Sequence, residues 1–302
     1  MAAQSFPPVR ACIFDLDGLL LNTEDLYTLC ANIVLTRHGR PPLTDAEWGL
    51  KAQLMGVPGS STGNVFHSWA KLPISRQRYA RELKSEQQIH YPQCQPLPGA
   101  LNLLQTLNVA RSGSAQGEKV QVALASSSVR ANFELKISGR QENRELLDLI
   151  PTHLRVLGDD YLGDVLHETT GEEAGGEGKK RGKPAPDIYL AALARINNTT
   201  TTLLEGSRKK IVPEECLVFE DSIVGVEAAR RAGMRCVWVP HPGLAGVWKG
   251  REREVLAGRT GVVTLDDDWL QRQQASSNED SWAEQLSSLE EFDYARYGMV
   301  VP

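Results

Sequence analysis

Short apolar runs bounded by turn residues recur along the chain at 11–14, 120–125, 216–219, 236–239 and 262–265. Most are apolar at every position and rich in Val, Leu and Ile, the pattern of strands covered on both faces of a parallel sheet. Helix-period segments separate them. Residues 187–196 and 223–232 are the clearest, the second followed by Gly233, which takes a left-handed C-terminal position without strain. This alternation predicts an α/β fold built on a doubly wound parallel sheet.

The long interval between the first two runs breaks the alternation. Segments 23–38, ending at Gly39, and 75–90 read as helices, and Thr44 with Glu47 spells a capping box ahead of another. An all-helical cap over 23–94 is therefore expected inside a core made of 1–22 and 95–269, with Pro92, Pro96 and Pro98 marking the return. Stretches 110–118, 166–181 and 199–209 are polar and rich in Gly or Thr, and read as mobile loops. Residues 270–302 read as an extension, a polar linker followed by an amphipathic helix carrying Trp282, Leu286, Leu289 and Phe292.

Composition narrows the partners. With 33 basic and 38 acidic side chains the formal charge is −5, so no global field favours nucleic acid or an acidic membrane. A mean hydropathy of −0.31 and the absence of any apolar run near the ~18 residues of a membrane span point the same way. The first residues, MAAQSFPPVR, carry neither an apolar signal core nor an arginine-rich face, and a cytosolic location is the expectation. The oligomeric state is left open, with a monomer as the default. Five widely spaced cysteines without a CxxC pair read as reduced packing residues. The histidines show no metal-ligand spacing, and no GxxxxGK[ST] phosphate loop is present.

Chemistry concentrates where the apolar runs end. The first run leads into Asp15, Asp17 and Gly18, and carboxylates two residues apart before a turning glycine lie where open α/β sheets bind ligands. The second ends in Ser126, Ser127 and Ser128, hydroxyls and N–H groups suited to an anion. Lys183 is held between Gly182 and two prolines just before a helix, and the third run ends in Glu220 and Asp221, a second acidic pair able to gather Mg²⁺. Taken singly, each has a bland account: an Asp-Gly turn, a serine cap, a solvated lysine. Their conjunction does not.

These pieces, in this order, resemble the haloacid dehalogenase superfamily, specifically its phosphatases with a helical cap after the first motif. The resemblance spans residues 9–266. It implies Asp15 as the nucleophile that forms an aspartyl-phosphate and Asp17 as general acid and base. It implies Mg²⁺ on Asp15, the carbonyl of Asp17 and Asp221, with Glu220 near the metal or acting through water. Gly18, Ser126, Ser127 and Lys183 would bind phosphoryl oxygens. By electrostatics Asp17 is expected to be pushed up in pKa by neighbouring Asp15, as an acid requires.

Within the superfamily, the stretches Gly18 to Glu24, Val156 to Asp160, Gly182 to Tyr189 and Cys216 to Met234 are similar to the pseudouridine-5′-phosphatase family, with Asn22 where that pattern has Asp. Glycerol-phosphate, sugar-phosphate and FMN phosphatases share similar stretches. The β-phosphoglucomutase branch is also similar in the core, but its cap histidine and basic residues correspond to Tyr27, Met55 and Gly59, which favours hydrolysis over transfer. A small-molecule phosphomonoester is the implied substrate; a silent binding scaffold would predict damage to the acidic set, which is intact. Asp159 and Asp160 read as a turn, Trp48, Phe66, Trp69 and Tyr79 as cap packing, and the 166–181 stretch as a solvated insertion beside Lys183. His241 and Trp248 stay open between packing and the site.

Overall fold

The computed structural model describes residues 6–55, 59–115, 117–160, 181–203, 209–262 and 282–302. Six parallel strands form the main sheet in the order β4-β3-β1-β5-β6-β7, with β1 Ala11–Phe14, β3 Gln121–Ala125, β4 Arg155–Val156, β5 Cys216–Glu220, β6 Arg235–Trp238 and β7 Ala283–Gln285. Central β1 sits between β3 and β5, so the chain leaves it first in one direction and then in the other. This is the topological switch point of an open α/β sheet, and the crevice lies at its carboxyl ends.

Strand periodicity explains the two cores. Ala11, Ile13, Ala123, Ala125, Cys216 and Val218 point to one face, packed by helices Asp187–Leu203 and Ile223–Arg231. Cys12, Phe14, Val122, Leu124, Leu217 and Phe219 point to the other, beneath helix Ala100–Val109. Phe14 and Phe219, paired across the register, stack at 4.5 Å. The five cysteines are buried free thiols, as expected of packing residues.

Between β1 and Ala100 the described chain is helical: Thr23–Arg37, Trp48–Leu54, Gly59–Ala70 and Arg76–His90. Thr44 and Glu47 form the capping box, and Ser75 caps the last of these helices by accepting the Arg78 N–H. Phe66 and Tyr79 sit in a separate cluster with Val34 and Leu35, with Trp69 against it. Trp48 does not join them. Its indole stacks on His241 at 4.5 Å, and Gly243 lacks the Cβ that would strike that ring at 1.9 Å. Trp248 is buried in the same core cluster. Both residues left open by sequence thus serve packing, His241 on the Trp48 ring and Trp248 within the core cluster.

Expectations fail at three stretches. The 270–302 extension carries no amphipathic helix in its described part. Ala283–Gln285 adds an edge strand to β6, two 3₁₀ turns follow, and Met299–Val300 (β8) pairs with Arg111–Ser112 (β2) inside the supposed 110–118 loop. Leu289, Phe292, Tyr297 and Met299 lie buried against the Phe14 and Phe219 face, so the extension is part of the core. Of the 262–265 run only Val262, a bend, is described, and 166–180 and 204–208 also lie outside the described residues. Residues 199–203 continue the helix begun at Asp187. Among the described residues no helix is long and apolar enough to cross a membrane.

Candidate active site

Asp15 emerges from β1 with its N–H donated to Phe219 O at 3.0 Å, which fixes its Cα at the mouth of the switch point. The chain then turns back sharply. Asp17 N–H donates to Asp15 Oδ2 at 2.8 Å, and Gly18 adopts φ +78° where a Cβ would fall 2.1 Å from Asp221 Oδ2. Only glycine fits, on conformation and on space. Its N–H is committed to Leu21 O at 2.9 Å and Thr23 Oγ1 at 3.1 Å. The expectation that this N–H faces the phosphoryl oxygens is corrected: Gly18 supplies the turn, because its donor already closes it.

Lys183 reaches the same point from before helix Asp187–Leu203. Its ammonium donates to Asp15 Oδ1 and Glu220 Oε1, both at 2.5 Å, and is almost wholly buried. Burial works against the charge, but the two carboxylates hold its pKa above the ordinary lysine value. Glu220 is saturated: Oε1 also accepts the Tyr189 hydroxyl, and Oε2 accepts the N–H and hydroxyl of Ser222 at 3.0 Å each. Gly225 makes this possible, since a Cβ there would lie 1.9 Å from the Glu220 carboxyl. Glu220, expected near the metal, is instead the anchor that aims Lys183 at Asp15, because every one of its acceptor directions is occupied.

Asp221 is the opposite case. Its Oδ2 is buried with no hydrogen-bond partner, facing Gly18. Burial, then Glu220, Glu24 and Asp15, pushes its pKa well above the carboxylate range. Burial likewise pushes Asp15 up to about 7 against the pull of Lys183, and burial with the charge of Asp17 pushes Glu24 up to about 8. So much unsatisfied negative charge calls for a cation. Among the described residues no three His, Cys, Asp or Glu side chains form a ready cage. Asp15, Asp221 and the Asp17 carbonyl nevertheless suit Mg²⁺, which takes one or two carboxylates and keeps several waters.

The pH sign follows. Asp15 and Glu24 have folded pKa values above their unfolded ones, so the stability they contribute is present in acid and is lost as pH rises through about 7 to 8. A bound cation replaces those protons. Magnesium is expected to raise the unfolding temperature more at about pH 8 than at about pH 5.5, in thermal melts against a chelated control; an equal or smaller shift at the higher pH would speak against this seat.

Asp17 reverses the sequence expectation. Burial opposes its charge, but Lys136, with Ser128 and Thr23, holds its pKa below the usual carboxylate value, outweighing any push from Asp15. Lys136 Nζ donates to Asp17 Oδ1 at 2.5 Å, and the Ser128 hydroxyl donates to Oδ2 at 2.7 Å. Ser126 lies buried at the end of β3, its Oγ accepting Ser128 N–H at 3.1 Å, with half-buried Ser127 between them. Asp159 and Asp160 are the expected turn and brace this loop: Asp159 accepts Arg130 N–H at 2.9 Å, and Asp160 pairs with Arg130 and Arg195.

The structure thus gathers Asp15, Asp17, Gly18, Lys183, Glu220, Asp221 and the 126–128 loop at one crevice. Sequence reasoning missed Lys136, Tyr189 and Glu24, and it read Ser128 as part of an anion loop where the structure binds its hydroxyl to Asp17. Lys136 had a readable signal: it follows Phe133 by one turn in helix Arg130–Ser138, a lysine on the buried face.

The chain belongs to the haloacid dehalogenase-like hydrolases, whose family model matches residues 9–233. It is 35% identical over 291 residues to a Saccharomyces cerevisiae protein named "Probable pseudouridine-5′-phosphatase", covering 96% of this chain and 98% of that one. It is 32% identical to (DL)-glycerol-3-phosphatase 2 of Arabidopsis thaliana, covering 77% of this chain and 80% of the relative. The fold matches a haloacid dehalogenase hydrolase from Entamoeba histolytica at a TM-score of 0.55 and 20% identity, over 88% of this chain and all of that one. This protein is a phosphatase-related enzyme of that superfamily.

Proposed function

We propose that the protein is a Mg²⁺-dependent phosphomonoester hydrolase that works through an aspartyl-phosphate on Asp15, with pseudouridine 5′-monophosphate as substrate. The observation that carries this reading is Lys183, bound to both Asp15 and Glu220 opposite the unpartnered Asp221 oxygen. Two negative reactants repel; Asp15, the Asp17 carbonyl and Asp221 would hold Mg²⁺, which would offset that repulsion. Lys183, Ser126 and Ser127 bind the phosphoryl oxygens. Asp15 attacks phosphorus, the bond to the ester oxygen breaks, and Asp17 gives its proton to the departing alcohol. Water then attacks the aspartyl-phosphate and its proton passes to Asp17, freeing phosphate and restoring both carboxyls.

Asp17 as it stands, a carboxylate gripped by Lys136, is the base of the second half. The negative phosphoryl group of the substrate raises its proton affinity for the first. The insertion over 23–94 acts as the cap that excludes water and reads the leaving group. Tyr27, which stands where the mutase pattern has histidine, is bound to Lys136, and this supports hydrolysis over transfer to a second hydroxyl.

The substrate reading rests on similarity along nearly the whole chain to a pseudouridine-5′-phosphatase relative; the glycerol-3-phosphatase relative supports a polyol phosphate as the second reading. A panel of pseudouridine 5′-phosphate, glycerol 3-phosphate, FMN and a hexose phosphate, with and without Mg²⁺, tests it. The expected result is metal-dependent phosphate release, with kcat/KM for pseudouridine 5′-phosphate about ten-fold or more above the others. Release from none would sink the hydrolase reading. An isomerised hexose phosphate would restore the mutase.

A further inference from the structure

Two lysines are buried among the described residues. Lys183 has its place beside Asp15, whereas Lys136, whose side chain has no exposed surface, enters the chemistry above only through its grip on Asp17 and Tyr27. A buried ammonium is costly unless all its donors are matched. Lys136 has three N–H groups and three acceptors: Asp17 Oδ1, Ser128 Oγ at 2.7 Å and the Tyr27 hydroxyl at 3.0 Å. Its charge also lies 5.2 Å from the Tyr27 ring and 5.0 Å from the Tyr91 ring, which meet edge to face.

These partners come from different parts of the molecule. Asp17 belongs to the turn after β1 and Ser128 to the loop after β3. Tyr27 lies in the first helix of the insertion, and Tyr91 stands at its return. The ammonium therefore joins both ends of the insertion to one carboxylate, and Ser128 grips that carboxylate's other oxygen.

We infer that Lys136 is the positioning residue for Asp17, and that Tyr27 and Tyr91 make this positioning depend on the insertion resting against the sheet domain. With the insertion in place, the ammonium is centred and Asp17 is fixed toward the leaving-group oxygen. With Tyr27 withdrawn, one donor loses its partner and the carboxyl gains freedom to turn. Closure of the insertion and orientation of the acid are one event. This inference rests on the reading of Asp17 as acid and base.

The leaving group tests it. An alkyl phosphate needs a proton on its departing oxygen, whereas p-nitrophenolate departs without one, and kcat/KM covers the steps up to departure. Full-length wild type, Lys136→Met, Lys136→Arg, Tyr27→Phe and Asp17→Asn are compared on p-nitrophenyl phosphate and on the alkyl phosphate cleaved fastest in the panel. Lys136→Met is expected to lose about 10² to 10³-fold on the alkyl ester and under about ten-fold on the aryl ester. Lys136→Arg should recover part of the alkyl loss, and Tyr27→Phe, which removes one hydroxyl and leaves the fold, should show the same selectivity at about three- to ten-fold.

Equal losses of Lys136→Met on both esters would overturn the positioning role. Tyr27→Phe with both esters unchanged would overturn the dependence on the insertion, and this variant decides the matter even where Lys136→Met does not fold. Asp17→Asn separates the two layers. Without leaving-group selectivity in that variant, the acid–base reading of Asp17 fails; with it, and without it in Lys136→Met, the positioning role alone fails.

Discussion

Asp15→Asn is expected to reduce phosphate release by at least about 10⁴-fold while the protein stays folded, because an amide oxygen is a feeble attacker on phosphorus and loss of a nucleophile removes the covalent route altogether. The substitution is nearly isosteric and keeps an oxygen for Lys183 and for the Asp17 N–H, so the neighbouring geometry has little reason to change. It also removes one of the negative charges that, after burial, raise the pKa of Glu24 and Asp221. The metal-free variant is therefore expected to melt at or above the wild-type temperature as its activity disappears. Single-turnover release of phosphate from the panel's best substrate, with melts alongside, checks both halves. Turnover within about ten-fold of wild type would remove Asp15 from the nucleophile's role.

Lys183→Met is the second large effect, and it strikes stability as well as rate. The ammonium is the shared partner of Asp15 and Glu220, both buried, and removing one member of a buried ionic set costs about 3 to 5 kcal/mol. Activity should fall by about 10² to 10³-fold or more, the scale of losing a donor aimed at developing charge. The pH dependence identifies the cause. Without the cation Asp15 gains proton affinity beyond its already raised value, and a group with a raised folded pKa stabilises in acid and loses that contribution as pH rises. The deficit relative to wild type should widen from about pH 5.5 to about pH 8 in urea unfolding. A constant deficit would mean that the loss is one of packing rather than charge.

Both expectations use residues that were legible before any fold was known, but the detail of each was not. Asp15, Asp17 and Lys183 stand out because strand ends, glycine turns and proline-fixed helix starts are local patterns, written within a few residues. Glu220 shows the limit of such patterns. Its position after an apolar run marked it as part of the acidic set, yet its role was decided by Lys183, Tyr189 and Ser222 converging from both sides. The same holds for Asp17, whose charge state the nearby Asp15 was expected to govern and Lys136 governs instead.

The C-terminal extension failed for a related reason. Trp282, Leu286, Leu289 and Phe292 have helical spacing, but Ser287 and Ser288 turn their side chains onto the backbone and its neighbours, and a vacant edge beside β6 offers Ala283–Gln285 a ladder. Phe292 then buries against Phe219, at 5.0 Å between ring centroids. Spacing records only that these residues need cover. Which surface covers them depends on the rest of the chain.

By itself the sequence determined the parallel α/β sheet, the helices after β1 with the caps at Thr44 and Ser75, and the strand-end carboxylates, because periodicity, capping and turn chemistry act over one or two turns of chain. Tertiary structure alone decided which charge meets which. Lys136 finds Asp17 across 119 residues and Lys183 finds Asp15 across 168. Such pairings answer to burial, where an ammonium or carboxylate without a partner is too costly to keep, and only the packed fold fixes which partners lie within reach.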